Sequence, residues 1–345
     1  MLRILEMTHA DLEAFFKSKY GKGPFLANAL YREFYKQLNP RPWDAEAIRL
    51  SPGLAANLKK DWVAAPDNVV ERAEQEGVVK FVTELNDGNR IETVVISMAT
   101  HHTVCVSSQV GCRRGCRFCE TAKMGLIRDL GVPEIVEQVV AARHRYGKSV
   151  RNVVFMGMGE PMDNFDAVLK AIQVMNDQRG LDIAHRHITL STVGVVNGIE
   201  ELTRSAMPRV NLAISLNAAD NDLRSRLMPV NLSNPLQLLK KALQKYTLEK
   251  EADIMINYVL IPGVNNDLDC ANQLIDWLSP LNARVNLIPL NPGGIAGFQA
   301  PSRDHIAVFR GMLVRRGVNA QERHSRGREL MAACGQLSTK TVSSG

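Results

Sequence analysis

The chain has 345 residues, 45% hydrophobic and 23% charged, which supplies a packed core and excludes whole-chain disorder. No uncharged apolar run approaches the roughly 18 residues of a spanning helix, and Glu6 and Asp11 interrupt the opening stretch where a secretion signal would be apolar, so a cytoplasmic, reducing location and no membrane partner are expected. The net charge of +6 is uneven: residues 1–90 balance 13 basic against 13 acidic groups, whereas residues 301–345 hold eight against three, which suits a polyanion such as RNA or simply a solvated face.

The first 85 residues read as helices. Leu12, Phe15, Phe16, Leu26, Leu30, Phe34 and Leu38 recur at helical spacings, punctuated by Gly21-Lys22-Gly23-Pro24 and ended by Asn39-Pro40-Arg41-Pro42. A small helical domain over 1–85, possible contact for RNA, is the expectation. From about residue 90 the texture becomes β-rich at Glu92–Ser97 and Thr103–Ser108. Strands are then expected at Asn152–Met156, His187–Thr192, Asn211–Leu216, Ile254–Leu260 and Val285–Leu290. Helices are expected between them at Val132–Tyr146, Phe165–Met175, Leu236–Tyr246 and Leu268–Trp277. Such alternation predicts a parallel sheet, open or rolled, with its chemistry at the C-terminal strand ends. Candidate motifs fall at those ends: Met156-Gly157-Met158-Gly159-Glu160-Pro161, Ser191-Thr192-Val193-Gly194, Ser215-Leu216-Asn217 and Pro289-Leu290-Asn291-Pro292. The fold expected is α/β: a partial (βα)6 TIM-type barrel over 90–338, six core strands in chain order, with the helical domain before it and a C-terminal extension after it. Residues 339–345 read as a flexible tail.

The sharpest chemical signal is Gly111-Cys112-Arg113-Arg114-Gly115-Cys116-Arg117-Phe118-Cys119. Three thiolates at C-x3-C-x2-C on one loop can hold three irons of a [4Fe-4S] cluster, leaving a fourth iron open to chelate a cofactor's amino and carboxylate groups. Arg113, Arg114 and Arg117 can offset the charge of thiolates and sulfides. The competing readings are a zinc site and packed cysteines, but structural zinc usually takes four ligands, and Cys270 and Cys334 are distant in sequence.

This loop after the first strand of a β/α array resembles the radical S-adenosylmethionine (SAM) superfamily, whose cluster cleaves SAM to a 5′-deoxyadenosyl radical. Gly159-Glu160 matches the superfamily pair that meets the SAM amino group, a sensible place for a carboxylate facing an ammonium. Met331-Ala332-Ala333-Cys334-Gly335-Gln336-Leu337, together with Cys105 seven residues before Cys112, narrows the resemblance to the RlmN/Cfr-type radical SAM RNA adenine methyltransferases over about 90–338. That resemblance implies methylation of an adenine ring carbon, C2 rather than C8, in rRNA or tRNA. It implies two SAM molecules per turnover, an S-methylcysteine on Cys334, Cys105 as the resolving thiol and Glu92 as proton acceptor. It also implies SAM contacts at Ser191, Ser215, Leu216, Asn217 and Asn291, and an external electron donor such as a flavodoxin-type reductant.

Two departures stand out. The family usually has Ser-Leu-His where this chain has Asn217, which keeps a donor and an acceptor but cannot titrate. The usual acidic approach to the terminal cysteine is replaced by Gly327-Arg328-Glu329-Leu330-Met331. The alternatives are a related radical SAM enzyme with another substrate and a non-enzymatic iron–sulfur RNA-binding or redox-sensing protein. Binding alone would need none of Cys105, Cys334 and Glu92.

Overall fold

The computed structural model describes residues 1–63, 69–144, 149–291, 299–323, 326–327 and 329–338. The tail 339–345, the end of the expected helix at Tyr146, Pro292 and Arg328 lie outside these. Helices His9–Phe15, Pro24–Tyr35 and Pro52–Asp61 open the chain. The first begins at a capping box in which Thr8 and Asp11 satisfy each other's backbone N–H, and the other two begin on prolines, which need no N–H partner there.

The expectation of helices up to residue 85 requires correction. Beyond Asp61 come β1 (Val69–Gln75) and β2 (Val78–Glu84), an antiparallel hairpin on the edge of the main sheet. The physical signal is the β-branched Val69, Val70, Val78, Val79 and Val82 around Glu76-Gly77, whose φ values of 47° and 75° suit a two-residue hairpin turn. The next strands are β3 (Arg90–Ser97), β4 (His102–Cys105), β5 (Gln109–Gly111), β6 (Leu126–Asp129), β7 (Val150–Phe155), β8 (Ile188–Thr192), β9 (Asn211–Ser215), β10 (Ile254–Leu260), β11 (Ala283–Pro289) and β12 (Ala320–Glu322).

The main sheet runs β1-β2-β3-β4-β7-β8-β9-β10-β11-β12, while β5 and β6 form a separate pair. Pairing is antiparallel through β4 and parallel from β4 to β12. Each parallel step is crossed by a helix: Val132–His144, Phe165–Asn176, Val196–Arg204, Leu236–Glu249, Leu268–Leu278 and Arg303–Arg315. Six β/α units in chain order are thus followed by β12, and β1 and β12 remain the two ends of an open sheet. The helices Val196–Arg204 and Arg303–Arg315 and the strands β5, β6 and β12 were not among the expected elements.

The N-terminal helices share one continuous apolar core with the barrel, from Leu2, Phe16 and Tyr31 through Val139, Ile172 and Ile214. His9 N–H donates to the Asp177 carboxylate at 2.6 Å, and Lys170 pairs with Asp11 at 2.6 Å, so polar contacts cross the same boundary. Among the described residues no helix is long and apolar enough to cross a membrane.

Candidate active site

The C-terminal ends of the parallel strands enclose a cavity of about 160 Å³. Gly159, Glu160, Ser191, Ser215, Asn217 and Asn291 all line it, so the expected strand-end residues converge there. Leu216 differs: it is fully buried beside the cavity, and its carbonyl accepts a hydrogen bond from Arg224. Glu160 is held by its surroundings. Its carboxylate accepts from the N–H groups of Met162 at 3.1 Å and Val193 at 2.8 Å, and its own N–H donates to Gln109 Oε1 at 2.8 Å. Burial pushes its pKa up to about 7 despite those donors. A buried carboxylate in that condition gains most from a cationic neighbour.

Asn217 sits at φ 59°, a left-handed conformation that Asn tolerates better than most side chains. Its Oδ1 accepts from Val259 N–H at 2.8 Å, while its Nδ2 contacts Met228 Sδ at 3.1 Å. Asn291 Nδ2 donates to the Cys334 carbonyl at 3.2 Å, and its Oδ1 is buried with no hydrogen-bond partner among the described residues. An orphaned acceptor in a cavity wall is a place for a ligand donor.

Cys116 and Cys119 line the same cavity, with Cys112 buried on the same loop. Burial raises all three thiol pKa values, Cys112 up to about 12, and charge on Cys119 and Cys112 raises Cys116 further. Among the described residues no group of three acidic, histidine or cysteine side chains is placed to hold a single metal ion. Among the loop arginines, Arg113 and Arg114 pair with Asp163, and Arg117 is exposed.

The C-terminal segment lies over this loop. Glu120 N–H donates to Gly335 O at 2.8 Å and Thr121 Oγ1 to Leu337 O at 2.6 Å. These bonds bring the exposed Cys334 to the wall of the small cavity and of a second, larger one of about 650 Å³. The larger cavity occupies the N-terminal half of the barrel and is lined by Asn152, His187, Asn211, Asn286, Gln321 and Cys105. Arg186, Arg323 and Arg326 give it a cationic rim, with Glu322 the acidic residue beside them. Cys105 and Cys334, 229 residues apart in sequence, therefore share a wall. Burial pushes the Cys105 thiol up to about 12, charge on Cys334 adds to the rise, and Arg323 opposes it.

Glu92 lies outside the linings of both cavities. It is fully buried, its Oε1 is 2.7 Å from Lys80 Nζ, and its Oε2 accepts from Ser338 N–H at 3.1 Å. Lys80 Nζ also donates to Met331 O at 3.2 Å, so the pair grips both ends of the Cys334 segment. Lys80 and Arg186 carried no signal in the sequence, each being an isolated residue in an ordinary strand or loop, whereas Arg323 and Arg326 belong to the basic 301–345 stretch.

The donor set suits an iron–sulfur cluster and SAM: three thiols on one loop, a buried carboxylate without a cation and an unused amide oxygen across the same cavity. Comparisons with known proteins agree. The Radical SAM superfamily pattern matches residues 106–273. A probable dual-specificity RNA methyltransferase RlmN 1 from Protochlamydia amoebophila is 36% identical over 97% of this chain and 94% of its own length. The dual-specificity RNA methyltransferase RlmN of Syntrophobacter fumaroxidans is 39% identical over 97% of both chains. The crystal structure of a radical SAM methyltransferase from Sphaerobacter thermophilus superposes with a TM-score of 0.91 at 38% identity, covering 98% of this chain and 99% of that one.

Proposed function

The chain belongs to the RlmN family of radical SAM methyltransferases, and from that premise we propose that it methylates a ring carbon of adenine in RNA, C2 rather than C8, with Cys334 as the methyl carrier. The observation that carries this reading is the position of Cys334 on the wall common to the two cavities, with Cys105 in the lining of the larger one. An amidine carbon of adenine is electrophilic and does not attack a sulfonium methyl, so the methyl group needs a covalent carrier. When bound at Cys112, Cys116 and Cys119, the cluster with SAM would supply a 5′-deoxyadenosyl radical.

Glu160 and the orphaned Asn291 oxygen would hold the amino end and another donor of SAM, with Ser191, Ser215 and Asn217 around them. Cys334 first accepts a methyl group from one SAM, releasing S-adenosylhomocysteine, and the 5′-deoxyadenosyl radical from a second SAM would take a hydrogen atom from that methyl group, leaving 5′-deoxyadenosine, methionine and a carbon radical on the Cys334 sulfur. That carbon adds to the adenine ring, and the adduct radical gives back the one electron that cleavage of the second SAM consumed; the nucleotide lies in the larger cavity with its phosphates toward Arg186, Arg323 and Arg326. Glu92 takes the ring proton once Ser338 moves off its carboxylate. The Cys105 thiolate attacks the Cys334 sulfur, releases the methylated RNA and leaves a disulfide, which an external reductant reopens. A flavodoxin-type protein fits the need for single electrons.

Nucleoside mass spectrometry of RNA incubated anaerobically with the protein, SAM and reductant tests the reading. A new C-methyladenine that requires Cys334 is the expected product. SAM cleavage with no change in RNA would favour the related radical enzyme with another substrate.

A further inference from the structure

Arg224, in the helix Asn221–Leu227, is one of the largest side chains in the protein with no exposed surface. A buried guanidinium normally sits against a carboxylate, because an unpaired charge in the interior is costly. Here its described partners are neutral oxygens: Leu216 O at 3.1 Å from Nε, Asn231 Oδ1 at 2.9 Å from Nη1 and Val193 O at 2.6 Å from Nη2. Two of those carbonyls follow β8 and β9, at the strand ends that carry Ser191 and Ser215. Gly194 makes the approach possible: at φ 95° it has no side chain, and a Cβ there would lie 3.1 Å from the guanidinium. Burial lowers the Arg224 pKa to about 10, and the group that favours its cationic form is Cys116.

The loop arginines are paired or solvated, whereas the helix that carries Arg224 packs through Leu227 into the same apolar cluster as Cys116. The loop is tied to the same helix, since Arg117 N–H donates to Leu227 O at 3.0 Å. A cluster with three thiolates carries negative charge, and its potential depends on nearby charge and on solvent exposure. We propose that Arg224 is the internal counter-cation of the cluster held by Cys112, Cys116 and Cys119: a positioning residue that fastens two cofactor-binding strand ends and makes the cluster easier to reduce. This rests on the cluster reading given above.

The test compares anaerobically reconstituted wild-type, Arg224→Gln and Arg224→Lys proteins. The amide keeps hydrogen-bond donors without charge, and the amine keeps charge without the planar fork. EPR-monitored redox titration should place the Arg224→Gln midpoint lower by about 60 mV or more, a tenfold fall in the reduced-to-oxidised ratio for one electron. Arg224→Lys should stay near wild type. The rise in melting temperature on loading the cluster should also be smaller in Arg224→Gln than in wild type, since the cluster then has no buried cation to neutralise. Cluster uptake by Arg224→Lys and not by Arg224→Gln would support the proposal equally. Equal midpoints and equal loading shifts in wild type and Arg224→Gln would overturn it. So would matching defects in the glutamine and lysine variants, failure to fold or load included, because these mark a purely structural role. A wild-type protein that takes up no [4Fe-4S] cluster would instead overturn the functional reading.

Discussion

The two cavities that meet at Cys334 are built from opposite halves of the same strands. The small one is made by residues grouped at the strand ends and just beyond them, such as Gly157, Gly159 and Glu160 or Ser215 and Asn217. The large one is made by single inward-facing side chains, one or two per strand, closed by the segment that carries Ala332, Ala333 and Cys334. Loops at strand ends concentrate their chemistry because consecutive residues can face one ligand. A strand interior gives every second residue to the cavity, so its chemistry is scattered along the chain. The cofactor end should thus be sensitive to single changes in its motifs, and the substrate end should lose function in smaller steps.

The most severe break lies at the cofactor end. Cys116→Ser should abolish cluster binding and SAM cleavage together, whereas Cys105→Ala should leave SAM cleavage intact; anaerobic iron and sulfide assays with 5′-deoxyadenosine measurement separate the two. Next is the buried pair that holds the Cys334 segment. Lys80→Met leaves the Glu92 charge without its cation, and removing one partner of a buried pair costs about 3–5 kcal/mol, read as a lower urea midpoint.

Glu160→Gln removes a charge-assisted contact worth about 1.5–3 kcal/mol, so SAM affinity measured by calorimetry should fall roughly ten- to a hundred-fold. The same carboxyl gives a pH signature. Its folded pKa of about 7 lies above the ordinary 4.5, so the ligand-free fold binds the extra proton. Its contribution to stability is largest below about 4.5 and declines as pH rises through about 7. SAM affinity should move the opposite way, rising across that window as the carboxylate forms. The smallest effect belongs to the basic rim. Arg186→Glu or Arg326→Glu should weaken RNA binding several-fold and flatten its salt dependence by about one phosphate contact each, with SAM affinity unchanged.

Legibility in the sequence followed the same division. β10 at Ile254–Leu260 is where its β-branched run placed it, and the cysteine loop, Glu160 and Asn291 were identifiable because their neighbours formed motifs. The hairpin at 69–84 was hidden by polar alternation with Glu71, Arg72 and Glu74, which reads as a solvated helix until Glu76-Gly77 is recognised as a turn. The burial of Glu92 against Lys80 could not be read, since both are ordinary strand residues whose pairing depends on the register of β2 with β3. The burial of Arg224 could not be read either, because nothing in Leu223–Arg226 distinguishes an inward arginine from an exposed one.

The central claim is that Cys334 attacks the RNA and Cys105 releases it across the shared wall. The direct measurement is a denaturing gel of Cys105→Ala after anaerobic incubation with RNA, SAM and reductant, run beside Cys334→Ala. The account predicts a shifted, nuclease-sensitive band in Cys105→Ala, and neither that band nor methylated RNA in Cys334→Ala. Full turnover by Cys105→Ala, or methylation by Cys334→Ala, would contradict it.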